Sequence, residues 1–329
     1  MSQAPLVFTG TSGQDLINFV EAALQANVSF NAGATEPTTK YAYQFWADTS
    51  LGLLKQRNAA NSAWIVLGTL GVTGLNIGHT VGQCQLTYTN SAALTLIPYN
   101  GDKIKINGSI YQIPSGGVVL GNAGLTASIL YYAYIYDNAG TLTLEASTTA
   151  PAVDTTAGNV GVKIKTGDST RSLVGVVYMG PGAPGTFVDS ASQRFVCSWF
   201  NQPVRQLWLP LPGIGTFTTT GVAAEINSAF RIEWVEFGRP TTIGIAGIGL
   251  NTASNAIVEC AVKVDATTGQ DSALVGGHVA ASFQTGITSW VSLGFGPGYH
   301  YATTVGVVSS GVGSIVGSNS SIHALLGAT

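Results

Sequence analysis

Charge is what this chain has least of. Only 9% of its 329 residues are Asp, Glu, Lys or Arg, against roughly 25% in an ordinary soluble domain. The 13 basic and 16 acidic residues leave a net charge of −3, which gives no positive footprint for a phosphate backbone and sets nucleic acid aside as a partner. Long apolar runs are missing as well. Stretches such as 129–136 stop well short of the roughly 20 residues a spanning helix needs and alternate as strands do, so no membrane insertion is expected. Cysteine is scarce: Cys84, Cys197 and Cys260 are odd in number and far apart in apolar surroundings, which points to buried free thiols rather than disulfides or metal ligands. The opening Met1-Ser-Gln-Ala-Pro5 lacks the basic start and apolar run of a secretion leader, so synthesis in a cytoplasm is the expectation.

What is abundant is glycine, 42 residues, beside a 45% hydrophobic content. With dense Ser and Thr between short alternating runs, this composition predicts an all-β chain of antiparallel sandwich or jelly-roll-like domains. Two glycine-rich stretches, 68–74 and 180–185, divide it into an N-terminal module (1–74), a central β domain (75–182) and a C-terminal jelly-roll-like domain (183–329). The one helix falls at about 13–25, where Leu16, Val20 and Leu24 recur behind the capping pair Ser12 and Asp15. Short runs at 41–46, 52–57 and 63–67 predict a small sheet beside it, with Phe45, Trp46 and Trp64 joining the helical leucines and valine as the module's core.

Local turn chemistry fixes two hairpins. Asn107-Gly108 predicts a two-residue turn that pairs Ile106 with Ser109 and Ile104 with Tyr111, burying the isoleucine face. Asp137-Asn-Ala-Gly140 reads as a four-residue loop that pairs Ile135 with Leu142 and lines Tyr132, Tyr134 and Tyr136 along one face. Farther on, strands are expected at 204–209, 230–234, 258–264, 273–283 and 299–308, and Gly244, Gly247 and Gly249 in an apolar run mark close backbone approach or a bulge.

The segment 41–68, YAYQFWADTSLGLLKQRNAANSAWIVLG, resembles a module of tail-fibre and related virion proteins of tailed bacteriophages; 189–201 and 298–306 are similar to stretches of phage fibre or capsid-associated proteins. That resemblance implies a virion structural protein made in the host bacterial cytoplasm and located in the virion. It implies a homo-oligomer, commonly a trimer, that docks to other tail or capsid proteins by its N-terminal part and faces a host-surface glycan with its distal part. A short tail fibre, spike or adaptor, and a capsid decoration or head fibre, both fit. It brings no catalytic residue and no cofactor. Low charge agrees independently, because neutral β faces are liabilities unless sister copies cover them.

Enzyme chemistry finds little footing. His79, His278, His300 and His323 have no metal-site spacing. A depolymerase would need two carboxylates flanking a glycosidic bond, and Glu233 with Glu236 is the nearest pair, but Glu233 shares a strand face with Arg231 in the manner of a solvated surface. No nucleophile elbow or phosphate loop occurs. Binding is left to aromatics. Tyr132, Tyr134 and Tyr136 suit a subunit interface or a sugar, and Tyr299, His300 and Tyr301 suit a recognition patch on a loop. Trp208, Trp234 and Trp290 are expected in the sandwich core.

Overall fold

The computed structural model describes residues 9–71, 74–77, 81–253, 255–279 and 284–327. The fold is all-β, in sheets that are antiparallel except where Gln193–Arg194 pairs parallel to Glu233 and Trp234, with a single α-helix among the described residues. It divides into two compact units, Met1–Thr80 and Val81–Thr329.

In the first unit the Ser12 hydroxyl accepts the Asp15 amide at 3.1 Å and the Asp15 carboxylate accepts the Ser12 amide at 2.9 Å, closing the expected capping box. The helix runs Gly13–Val28, three residues past its expected end, because nothing interrupts it before Phe30 and Asn31 turn to φ of 53° and 52°. Its apolar stripe is not core. Leu16, Val20 and Leu24 are 48, 45 and 59% exposed, and Ala26 alone is buried. Periodicity shows that one side of a helix is apolar; it does not supply a surface to lie against it.

The core of this unit is the four-stranded meander Phe45–Asp48, Leu53–Arg57, Trp64–Gly71 and Gly74–Ile77. Tyr41–Gln44 stay out of the first strand, because Tyr43 adopts a φ of 65° that no ladder accepts. Trp46 is buried, donates its indole N–H to the Gly33 carbonyl at 3.1 Å and lies 5.3 Å from the partly buried Trp64 ring, while Phe45 packs on Phe30. Asp48 pins the first turn: burial pushes its carboxyl up, but the Lys55 ammonium at 2.7 Å, the Ser50 hydroxyl and the Leu51 amide outweigh that and hold it at about 2. Residues 68–71 and Gly74–Ile77 are thus paired strands of this sheet, and the unit boundary falls at residue 80 rather than 74.

The second unit has no break at 182. Its two larger apolar cores, one drawn from residues 84–196 and one from 207–326, are joined by Val176, Cys197 and Val235, and a smaller cluster gathers Ala223, Ala261, Val305 and Val307. Strand Val196–Ser198 crosses the expected junction to pair with Asp168–Tyr178, and Gly180 bridges Thr186, so the 180–185 stretch is a turn inside the first lobe.

In that lobe the Asn107-Gly108 hairpin has the expected register, with φ of 48° and 80° at the turn and Ile104 and Ile106 buried. The next hairpin differs. Ala139 and Gly140 both take positive φ, 50° and 91°, so the loop has two residues and Ile135 faces Leu144, not Leu142. An alanine in the left-handed region is what local turn preference does not anticipate.

The second lobe is a jelly roll. Its strands Arg205–Pro210, Ile232–Phe237, Pro240–Asn251, Ala256–Val264, Val275–Val279, Thr285–Gly294, Pro297–Val308 and Ser321–Leu326 can be counted one to eight along the chain. One sheet then runs 1-8-3-6 and the other 2-7-4-5, the order two nested Greek keys produce. The expected strand 273–283 appears as Val275–Val279, and residues 280–283 lie outside the described residues.

Candidate functional site

Alternation gives each jelly-roll sheet an inner and an outer face, and the two outer faces are used differently. In the 2-7-4-5 sheet, Ile232, Trp234 and Glu236 point into the sandwich, while Glu233, Val235 and Phe237 point at the first lobe. There Tyr299 stacks on Tyr178 with centroids 4.1 Å apart, Phe195 stands edge-on to both, and Phe237 meets Trp199 at 5.0 Å. Tyr299 donates its hydroxyl to Glu233, which also accepts from the Gln193 amide. Burial pushes the Tyr299 phenol up, so it stays a donor.

This settles where several expected site residues sit. Tyr299, His300 and Tyr301 belong to strand Pro297–Val308, not to a loop. His300 is 9% exposed; its Nδ1 is 2.8 Å from Asp265 and its Nε2 2.9 Å from the Gly296 carbonyl. Both partners only accept, so the protonated ring, which donates from both nitrogens, is the form this site favours. Burial lowers its pKa, but the Asp265 and Gly296 hydrogen bonds outweigh burial and raise it above the ordinary 6.5. Tyr301 lies under the Arg231 guanidinium at 4.3 Å. Of the tyrosine stripe, Tyr134 is fully buried with its hydroxyl on the Thr149 carbonyl, Tyr132 packs against the join between the lobes, and Tyr136 is covered by Arg171 at 3.8 Å. The stripe presents no continuous open face.

Glu233 and Glu236 cannot act together. Three residues apart on a strand, they point to opposite sides, and Glu236 is 2% exposed in the core, where burial pushes its carboxyl up. Thr241 donates to one of its oxygens at 3.2 Å, and the Trp234 indole and the Thr241 hydroxyl oppose the effect of burial without overcoming it. All three cysteines are buried and free, with the Cys84 and Cys260 thiols pushed up to about 12 by burial. No group of three or more potential metal ligands occurs among the described residues. His79 lies outside the described residues.

The outer face of the 1-8-3-6 sheet is the open one. Register places Trp208 opposite His323, His323 opposite Gly244 and Gly244 opposite Trp290, a single row across four strands. Trp208 is 51% and Trp290 54% exposed, so neither is the core residue expected; Leu207, Ile287 and Ser289 take the inward positions beside them. The Trp290 ring lies over Gly244, where a Cβ would come within 2.4 Å of it, and meets the His323 ring edge-on at 4.5 Å. Burial lowers the His323 pKa, which keeps the imidazole neutral at pH 7, and its Nε2 has no hydrogen-bond partner. A sequence signal existed: in Gln206-Leu-Trp-Leu209 and Thr288-Ser-Trp-Val-Ser292 the tryptophan falls in phase with polar neighbours.

No protein-family model and no curated protein matches the chain. Among solved structures it is similar to the delta-endotoxin Cry8Ea1 of Bacillus thuringiensis, at 11% identity and a TM-score of 0.24 over 80% of this chain and 58% of the toxin. It is also similar to the infectious bursal disease virus VP2 subviral particle, at 9% identity and 0.26 over 84 and 69%. A third is an exo-β-1,3-galactanase of Phanerochaete chrysosporium, at 10% identity and 0.19 over 87 and 66%. The chain spans 50 to 58% of the length of the toxin structures it matches. Likeness of this size assigns neither family nor function.

Proposed function

We propose that the chain is a structural component of a bacteriophage virion that works by binding: a short tail fibre, spike or adaptor that docks through its first unit and presents the jelly roll to a host surface. The observation that carries the binding half is the open 1-8-3-6 face, where two half-exposed tryptophans stand on a rigid sheet. Rigid aromatics flanked by hydroxyls suit recognition. The carboxylate pair a depolymerase would use is split between a sheet's two sides, which favours binding over hydrolysis.

The docking half rests on the 41–68 segment, which resembles a phage virion module. The bare helical stripe through Leu16, Val20 and Leu24 supports assembly of identical copies, in keeping with a homotrimer. Immunogold labelling of intact particles tests the assignment. Label at the tail is expected, label on the capsid selects the head-fibre form, and no label on the particle overturns it. Native mass spectrometry of the full chain should give a trimer, and a stable monomer at micromolar concentration would remove the assembly part.

A further inference from the structure

We propose that the row Trp208–His323–Gly244–Trp290 is a binding site for a neutral saccharide chain, with Trp290 as the main stacking platform and Trp208 as a flanking one. The proposal names the ligand class for the recognition face described above and rests on that reading.

Three observations select this ligand. First, the platform is built. The sheet is hollowed at Gly244, where any side chain would collide with the Trp290 ring, and the His323 edge at 4.5 Å supports that ring from the side, so an indole that is 54% exposed is still held in one orientation. Sugar rings stack through their C–H faces on such fixed aromatic planes while their hydroxyls seek polar neighbours. Second, those neighbours are present. In the adjoining register row Thr242 faces Ser292, with hydroxyl oxygens 3.4 Å apart beside the ring. Third, the face has no charge of its own; at its edge Arg194 reaches the Gln206 carbonyl but is paired with Asp189. No outward position of the four strands carries Asp, Glu, Lys or Arg, and burial keeps His323 neutral. Electrostatic complementarity therefore points away from sulfated, phosphorylated or sialylated glycans and toward uncharged ones.

A second copy of the chain is the competing occupant. A stable protein interface buries about 800 Å² per partner around a continuous apolar core. Here a glycine and an imidazole lie between the tryptophans, and Ser, Thr and Gln make up most of the neighbouring rows. The row spans three strand spacings, about 14 Å, long enough for consecutive sugar units of one chain.

Isothermal titration of the full-length protein with neutral tetrasaccharides of glucose, galactose and N-acetylglucosamine, and with a heparin-derived tetrasaccharide as charged control, tests the site. At least one neutral probe should bind saturably and the charged control should not. Trp290→Ala should weaken binding about tenfold or more, roughly the loss of one stacked ring, with its melting temperature lowered by no more than about 4 °C. Gly244→Ala, which keeps both tryptophans but displaces one, should weaken it as well. The proposal is overturned if no neutral probe binds, if only the heparin fragment does, or if a Trp208→Ala/Trp290→Ala variant binds as wild type. A drop in sedimenting mass in that variant would instead make the face a subunit contact, and overturns it too. Immunogold labelling of particles carrying Trp290→Ala separates the two readings: absence of label counts against the virion assignment alone, and loss of binding with label intact counts for the site.

Discussion

The two sheets of the jelly roll turn outward faces of opposite character. The face through Glu233, Val235 and Phe237 is sealed by the first lobe, its tyrosines stacked and its carboxylate engaged. The face through Trp208 and Trp290 is aromatic too and stays bare. Aromatic content alone thus says little about use; what separates the two is whether each ring's polar group and flat side already have partners. At the join between the lobes the Tyr299 hydroxyl is engaged by Glu233 and the ring faces lie against one another, so the rings stabilise. On the bare face a ring is oriented from below and vacant above, which is the arrangement of a recognition surface.

The sharpest way to break this comparison is by stability. Tyr299→Ala removes a ring stacked on Tyr178 and leaves Glu233 without its phenol donor, and should destabilise the second unit by about 3 kcal/mol in urea unfolding. Asp265→Asn should be milder, about 1 kcal/mol, because Asp265 is 43% exposed and its attraction to His300 is partly screened.

The same variant sharpens the contrast through pH. His300 has its folded pKa raised, so its contribution is complete below the ordinary 6.5 and fades as pH rises through the folded value. Glu236, raised by burial, fades in the same direction. His323 has its folded pKa lowered, so its contribution is present above 6.5 and fades as pH falls through the folded value. Urea midpoints between about pH 5 and 8 should decline at both ends. Asp265→Asn should flatten the alkaline limb and His323→Asn the acid one; unchanged limbs would remove the Asp265-paired His300 or the neutral imidazole on the bare face. Trp290→Ala is the smallest effect expected, below about 1 kcal/mol, since half the ring is already in water. A loss as large as that of Tyr299→Ala would make the bare face structural.

How far the sequence could be read depends on how local the deciding interactions are. The Ser12–Asp15 cap, the Asn107-Gly108 turn and the buried cysteines depend on neighbours a few residues away or on residue type, and the structure has them as expected. The Ala139-Gly140 turn failed by two residues because alanine gives no hint of a positive φ. Trp208 and Trp290 were misplaced for another reason: tryptophan is bulky enough to suggest a core, and only the phase of the aliphatic residues around it shows which way it points. Of the candidate site, its residue types were visible and its members were not.

By itself the sequence determined that this chain folds as sheets with one capped helix, with little charge and no motif for familiar chemistry, because alternation, turn residues and caps act over a handful of positions. Only the tertiary structure decided which faces are spent. It joined residues 81–329 into one unit, buried Tyr134, parted Glu233 from Glu236, and set Trp208, His323, Gly244 and Trp290 in one row from four strands distant in sequence. Strand order is settled by which apolar faces find each other in space, and no local signal carries that information.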